Sequence, residues 1–250
     1  LAAVLAGLPN LTNLTLDAAS PLTTAEQVAL ATAYPNVTFL WDVQLLDGLT
    51  VRSDVTELDL RGYAVPDAAA FSDKLVLFKN LARLDMCNCG PADDEMAAMR
   101  ARYPEIKFIW MTRVSKWIVR TDIPGFSTGN KRKFPNGMGE FVGTSTSFRD
   151  IYAADFENLK YCTDLVALDV GHCAHIGNID FIANLPKLKY LIVSLCDITD
   201  ITPIAGQTDL EFLEIKYNYL TDISCLSKLT KLRFLNCSNN LISDFSVVYS

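Results

Sequence analysis

Residues 188–245 read LKYLIVSLCDITDITPIAGQTD, LEFLEIKYNYLTDISCLSKLTK and LRFLNCSNNLISDF, and these three lines decide the fold. Leu188, Leu210 and Leu232 stand 22 residues apart. With each taken as position 0, the same offsets recur. Leu191, Leu213 and Leu235 fall at +3, and Val193, Ile215 and Cys237 at +5. Cys196, Asn218 and Asn240 fall at +8, Ile198, Leu220 and Ile242 at +10, and Ile201, Ile223 and Phe245 at +13. A fixed period of this size marks a chain of stacked turns, because one turn alone cannot bury its apolar side. Positions +3 and +5 alternate along a short strand and face inward. The +8 side chain turns into the bend, where backbone polar groups would otherwise be buried without partners. Asn suits that task best; a buried Cys substitutes as a small, mostly apolar side chain.

The pattern LxxLxLxxNxIxDIxxLxxLxx resembles the leucine-rich repeat, in the 22-residue form of bacterial internalin-like proteins. The resemblance implies an α/β solenoid with a parallel, concave β-sheet. Helices should lie behind the sheet in the N-terminal half, and tighter turns in the C-terminal half.

Composition narrows the function classes. Half of the residues are hydrophobic, which is globular rather than disordered. A net charge of −7 argues against nucleic acid as main partner, which needs a basic face. No apolar run approaches the ~18 residues of a membrane span. Leu1–Leu8 lacks a charged leading region and does not read as a signal peptide. Residues 1–16 look like mid-repeat material, and a new turn begins at Asp244, so the expectation is a fragment of a longer chain. Seven cysteines without a CxxC pair disfavour a zinc ribbon or redox motif, and few or no disulfides are expected. Cys89, Cys173 and Cys196 take the +8 position and Cys237 the +5, and all four are expected to be buried thiols.

The N-terminal part holds a longer repeat. Leu11 and Leu14 match Leu81 and Leu84, 70 residues on; Tyr34, Pro35, Phe39 and Trp41 match Tyr103, Pro104, Phe108 and Trp110, 69 on. Arg52 and Asp54 echo Arg120 and Asp122. Thr23-Thr24-Ala25-Glu26 is a capping-box pattern opening a helix that Tyr34-Pro35 stops. Asp93, Asp94 and Glu95 place acids in the first turn of another, where they suit the helix dipole. Phe71, Leu75 and Phe78 give a third helix over about 67–78 its apolar face. Val37–Arg52, with Asp47-Gly48, and Ile106–Arg120, with Ser115-Lys116, read as hairpins. Phe39, Trp41, Phe108 and Trp110 are expected in the core if the hairpins leave solenoid register, and outward if they keep it. The motifs AYPxVxFxW, SDVTELDL, LDMCNCG and RYPEIKFIW resemble secreted leucine-rich repeat proteins of gut bacteria, which implies an extracellular or cell-surface setting and no activity. The expected organisation is an irregular repeat region over 1–122, a long loop over 123–150 and regular repeats over 151–250, in one continuous solenoid.

Candidate chemistry is sparse. Gly125-Phe126-Ser127-Thr128-Gly129 matches GxSxG, but a nucleophile elbow needs a helix after the Ser. Asn130-Lys131-Arg132-Lys133 does not start one. A hydrolase using Ser127 is therefore the weakest of three readings. His172-Cys173-Ala174-His175 carries ligand types that suit zinc, yet no fourth ligand is evident. Lys131-Arg132-Lys133 reads as a solvated loop tip. No catalytic residue, cofactor or metal is expected.

The better signal is a column of outward aromatics. Tyr190, Phe212 and Phe234 share the +2 position, about one strand spacing (~4.8 Å) apart. Ile192, Glu214 and Asn236 share +4, and Tyr217 follows at +7. Outward aromatics usually mark an interaction site. The expectation is a non-enzymatic recognition module that binds a protein through Tyr190, Ile192, Phe212, Glu214, Tyr217, Phe234 and Asn236. A carbohydrate-binding module is the alternative, since aromatic rings also stack on sugars.

Overall fold

The computed structural model describes residues 1–16, 21–129 and 150–248. By contacts the chain divides into Leu1–Trp110 and Met111–Ser250. In the first unit a short helix α1 (Ala2–Ala6) precedes strand β1 (Asn13–Thr15), helix α2 (Thr24–Ala33) and strand β2 (Thr38–Leu40). A hairpin of β3 (Asp42–Leu46) and β4 (Leu49–Arg52) comes next. After it stand β5 (Glu57–Asp59), α3 (Ala68–Lys74), β6 (Arg83–Asp85), α4 (Asp93–Arg102) and β7 (Lys107–Ile109). β1 pairs in parallel with β2, and β5, β6 and β7 form a second parallel ladder.

Local chemistry explains the helix starts. Thr23 Oγ1 accepts from the Glu26 N–H at 3.3 Å while Glu26 Oε2 accepts from the Thr23 N–H at 2.8 Å. Asp67 caps α3 by accepting from the Ala70 N–H at 2.8 Å. The expected helix over 67–78 is shorter than its apolar spacing suggests: α3 ends at Lys74 and tightens into a 3-10 turn over Leu75–Leu77.

The two expected hairpins are each half hairpin and half ladder. Residues 38–40 and 107–109 pair in parallel, and only the strands C-terminal to them, 42–52 and 111–120, fold back on themselves. Phe39 stands opposite Leu14 and Phe108 opposite Leu84, so both keep the repeat register. All four rings are nevertheless in the core, with Trp41 and Trp110 almost fully buried. Register and burial are therefore not alternatives here, because the aromatics occupy the inward positions of the ladder. Gly48 and Ser115 turn the hairpins at φ of 73° and 52°.

The second unit opens on the hairpin β8 (Met111–Val114) and β9 (Trp117–Arg120). Five parallel strands then stack in order: β10 (Gly125–Ser127), β11 (Ala167–Asp169), β12 (Tyr190–Ile192), β13 (Phe212–Glu214) and β14 (Phe234–Asn236). Phe126, Leu168, Leu191, Leu213 and Leu235 stand in one register row. The first four are buried and Leu235 is half-buried. Burying one such side chain contributes roughly 1.5–3 kcal/mol. β10 corrects the expectation of a loop from residue 123: Phe126 takes an inward position, which draws Gly125–Ser127 into the sheet. The remainder of that expected loop, with Lys131-Arg132-Lys133, lies outside the described residues.

Each turn returns through a 3-10 segment, as at Thr202–Gly206 and Ser224–Lys228. The Asp of the repeat caps it. Asp200 Oδ1 accepts from the Thr202 N–H at 2.8 Å and Asp222 Oδ1 from the Ser224 N–H at 2.7 Å. That backbone bond is also the main reason the Asp222 carboxyl lies below its ordinary pKa.

Candidate binding face

Strand pairing brings the even-numbered positions of each repeat into straight columns. Gly125, Ala167, Tyr190, Phe212 and Phe234 form one, and Ser127, Asp169, Ile192, Glu214 and Asn236 form the next. Two devices end the strands, the first at β11 and β14 only. Asp169 Oδ1 accepts from the Gly171 N–H at 3.0 Å and Asn236 Oδ1 from the Ser238 N–H at 3.3 Å, which turns the chain at +4. One residue later the backbone becomes left-handed: His172, Leu195, Tyr217 and Asn239 have φ of 65°, 57°, 56° and 55°. Only Asn suits that conformation well; for Leu and Tyr it costs about 1–2 kcal/mol. The strain turns Leu195 and Tyr217 outward, at 37% and 50% exposure.

The aromatic column exists as a contact. Phe212 and Phe234 stack with ring centroids 4.2 Å apart and planes 5° from parallel. Tyr190 and Phe212 pack at 6.1 Å and 31°. Because the rings stack along the ladder, they turn their edges to the open face, and their faces toward one another. Exposure rises along the column. Phe234 is 43% exposed and Phe212 half-buried, but Tyr190 is only 8% exposed. That corrects the reading of Tyr190 as an outward contact: it packs into a small apolar cluster with Ala167, Val166 and Phe212. Ile192, Glu214 and Asn236 are half-buried and Tyr217 exposed. Glu214 is engaged by Lys216 Nζ at 3.2 Å and by Ser194 Oγ at 3.1 Å.

At the other end of the sheet the same face is small, polar and buried. Ser127 Oγ donates to Asp169 Oδ2 at 3.2 Å and accepts from the Gly129 N–H at 3.0 Å. Ser127 and Thr128 are fully buried, and Asp169 nearly so. A Cβ on Gly171 would come within 3.2 Å of Asp169 Oδ1, so a larger residue there would have to displace the Asp169 carboxylate by a few tenths of an ångström. Ser127 lies on a strand and is bonded to a carboxylate, not to a histidine. The GxSxG string is a strand end, without the geometry of a nucleophile elbow.

The two histidines do not converge on a metal. His172 is exposed, and His175 stacks on Tyr152 at 5.7 Å. Among the described residues no group of three or more His, Cys, Asp or Glu is placed to hold an ion.

The +8 ladder shows what the sequence reading missed. Asn218 Oδ1 accepts from the N–H groups of Cys196 and Ile198, at 3.0 and 3.2 Å. Its Nδ2 donates to the carbonyls of Val193 and Ile215, at 2.8 and 3.0 Å. Cys196 is more than an apolar filler: its Sγ–H donates to the carbonyls of Val170 and Ser194, both at 3.3 Å. Cys89 and Cys173 likewise donate, to Leu60 O at 3.1 Å and Thr128 Oγ1 at 3.5 Å. Burial pushes the Cys196 thiol up to about 12, and burial, then the nearby Asp85 and Asp59, pushes Cys89 up to about 11. Both stay protonated and remain donors. All seven cysteines are free thiols. Cys237, expected to be buried, is half-buried.

Residues 208–250 match the family model described as leucine rich repeats (2 copies). Among solved structures the chain is similar to an internalin C2 from Listeria monocytogenes, at 28% identity over 36% of this chain and 49% of that one, with a TM-score of 0.30. It is similar to an internalin F from the same organism, at 16% identity over 87% and 59%, with a TM-score of 0.36. The functional domain of InlJ from Listeria monocytogenes, described as including a cysteine ladder, is 16% identical over 78% of this chain and 43% of that one, with a TM-score of 0.36. The chain spans 49% and 59% of the lengths of the first two. A comparison with curated proteins gives no match. No helix among the described residues is long and apolar enough to cross a membrane. With its parallel ladder, Asn and Cys rungs, and 3-10 returns on a 22-residue period, the second unit has the fold of leucine-rich repeats, the family whose model its residues 208–250 match.

Proposed function

We propose that the second unit is a non-enzymatic recognition module whose open strand face binds a protein. The observation that carries this reading is the stack of Phe212 on Phe234, with Tyr217 exposed beside it. Aromatic anchors framed by half-buried polar groups are the usual centre of a protein contact. Glu214 and Asn236 supply that frame, Ile192 adds apolar surface beside them, and Tyr190 packs on Phe212 from the neighbouring strand. The ring orientation argues against the carbohydrate alternative. A sugar ring stacks on an aromatic face, and the faces inside this column are already taken. Outward edges carry the positive side of the ring quadrupole and suit carbonyls, carboxylates and the faces of other rings. The same reading places the protein outside the cell or on its surface, which rests on the resemblance of the N-terminal motifs and is tested by fractionating the source cells.

The test is a protein display library and a glycan array probed in parallel with the wild type and with Phe212→Ala/Phe234→Ala. Protein ligands that the double variant loses support the reading. Glycans bound by the wild type and lost by the variant overturn the ligand class. Protein ligands kept by a folded double variant overturn the face.

A further inference from the structure

The first unit carries a cavity of its own, between the β3–β4 turn and the start of α3, with a volume of about 370 Å³. Small-molecule pockets start at about 300 Å³. Its apolar walls include the buried Val65 and Phe71, and Tyr63 at 38% exposure. Its charged lining, among the described residues, is Asp47, Asp67 and Lys74.

Hydrogen bonds hold the walls from both sides. Lys74 Nζ donates to the Leu45 carbonyl at 2.7 Å, which ties α3 to the hairpin. The Val65 N–H donates to the Cys89 carbonyl at 2.7 Å, which ties the connection before α3 to the turn that follows β6. Gly48 and Gly62, at φ of 73° and 92°, bend the chain next to Asp47 and Tyr63. The lysine is thus anchored on a backbone carbonyl, but the carboxylates are not neutralised. Asp67 Oδ1 accepts from the Ala70 N–H at 2.8 Å, and among the described residues neither Asp67 nor Asp47 enters an ion pair. An apolar wall, an accessible ring and two carboxylates at one preformed cavity ask for a ligand with an apolar stem and a cationic head.

We propose that this cavity binds an alkyl guanidinium, the chemistry of an arginine side chain. The stem lies against Val65 and Phe71, and the head lies on the Tyr63 ring with its N–H groups toward Asp47 and Asp67. A guanidinium suits the site better than an ammonium, because its planar fork meets a carboxylate with two N–H groups while lying flat on a ring. The site lies wholly within the first unit and does not depend on what the strand face of the second unit binds.

The probes are butylguanidinium and its neutral isostere butylurea, titrated against the full chain and followed by the amide NMR signals of Gly48, Gly62 and Tyr63. Saturable shifts of these signals are expected with butylguanidinium, and about tenfold weaker binding with butylurea, the scale of two exposed charge contacts. Asp47→Asn/Asp67→Asn keeps the α3 cap, since Asn caps a helix as Asp does. It should lower the affinity for butylguanidinium to that for butylurea and leave butylurea unchanged, a pattern that misfolding cannot produce. Equal affinity of the wild type for both probes overturns the proposal, as does binding of neither, or butylguanidinium binding that the double variant keeps. Acetyl-Gly-Arg-Gly-amide separates the sources of the head group. Binding at least as tight as that of butylguanidinium supports an arginine of a polypeptide, and weaker binding supports a free guanidinium compound; both keep the assigned chemistry.

Discussion

The two ends of the five-stranded sheet share one backbone and present opposite chemistries. At β10 and β11 the outward positions hold Gly125, Ala167, Ser127 and Asp169, and all four are buried. At β13 and β14 the same positions hold Phe212, Phe234, Glu214 and Asn236, none of them fully buried. The bends differ too, with Cys173 and Cys196 on the inner rungs and Asn218 and Asn240 on the outer. The difference teaches that inward positions decide whether a turn stacks, while outward positions are free to become either core or contact surface. The repeat tolerates both because its backbone is satisfied by bonds that the outward side chains scarcely enter.

The comparison can be broken at the rung. Asn218→Ala removes bonds to two buried N–H groups and to carbonyls of two turns. Leaving such groups buried without partners costs about 1–3 kcal/mol each, so a loss of roughly 3 kcal/mol is expected in urea unfolding. Asn218→Cys restores the donor as Cys196 does, and should recover about half of that. If Asn218→Cys unfolds like Asn218→Ala, the thiol rungs contribute only volume.

Next in size is the +4 column. Asp169→Ala strands the Gly171 N–H and the Ser127 hydroxyl in a buried site, and about 2 kcal/mol of destabilisation is expected. Asn236→Ala removes the same kind of bond where water reaches it, and should cost under about 0.5 kcal/mol. Equal losses at the two positions would mean the ends differ in composition only.

How much of this was legible obeys the same division. The +3, +5 and +10 columns could be read from spacing, because period and burial are the same physical fact. The N-terminal hairpins were legible only in part. Asp47-Gly48 announces the turn, but nothing local tells that residues 38–40 spend their bonds on β1 first. Phe39 and Trp41 looked ambiguous for that reason. β10 was hidden because Gly125 and Ser127 suggest a loop, and only the partner strand β11 makes the single inward Phe126 a rung. Tyr190 was misjudged since burial of an outward ring depends on its neighbours in space. The donor role of the cysteines has a signal that could have been weighed, namely that they recur where Asn stands.

A smaller effect lies in the stack. Phe234→Ala removes a ring that is 43% exposed, so the stability loss should stay near 1 kcal/mol or below, in circular dichroism melts. Phe126→Ala, the buried ring of the inner end, should cost about 3–5 kcal/mol if it folds at all. Ring count is equal in the two substitutions, so their ratio measures how far the outer end remains surface.

The smallest change leaves the fold intact and reads the thiols. Cys87, Cys89, Cys162, Cys173 and Cys196 are buried, whereas Cys225 and Cys237 are half-buried and lie in the turns nearest β14. Burial raises the Cys225 and Cys237 pKa values as well, so neither is an activated nucleophile. Under native conditions a thiol reagent at pH 8 should therefore modify these two slowly, and the other five only on unfolding. Modification of all seven at one rate would show that the inner rungs open as readily as the outer, and the contrast between the two ends would vanish.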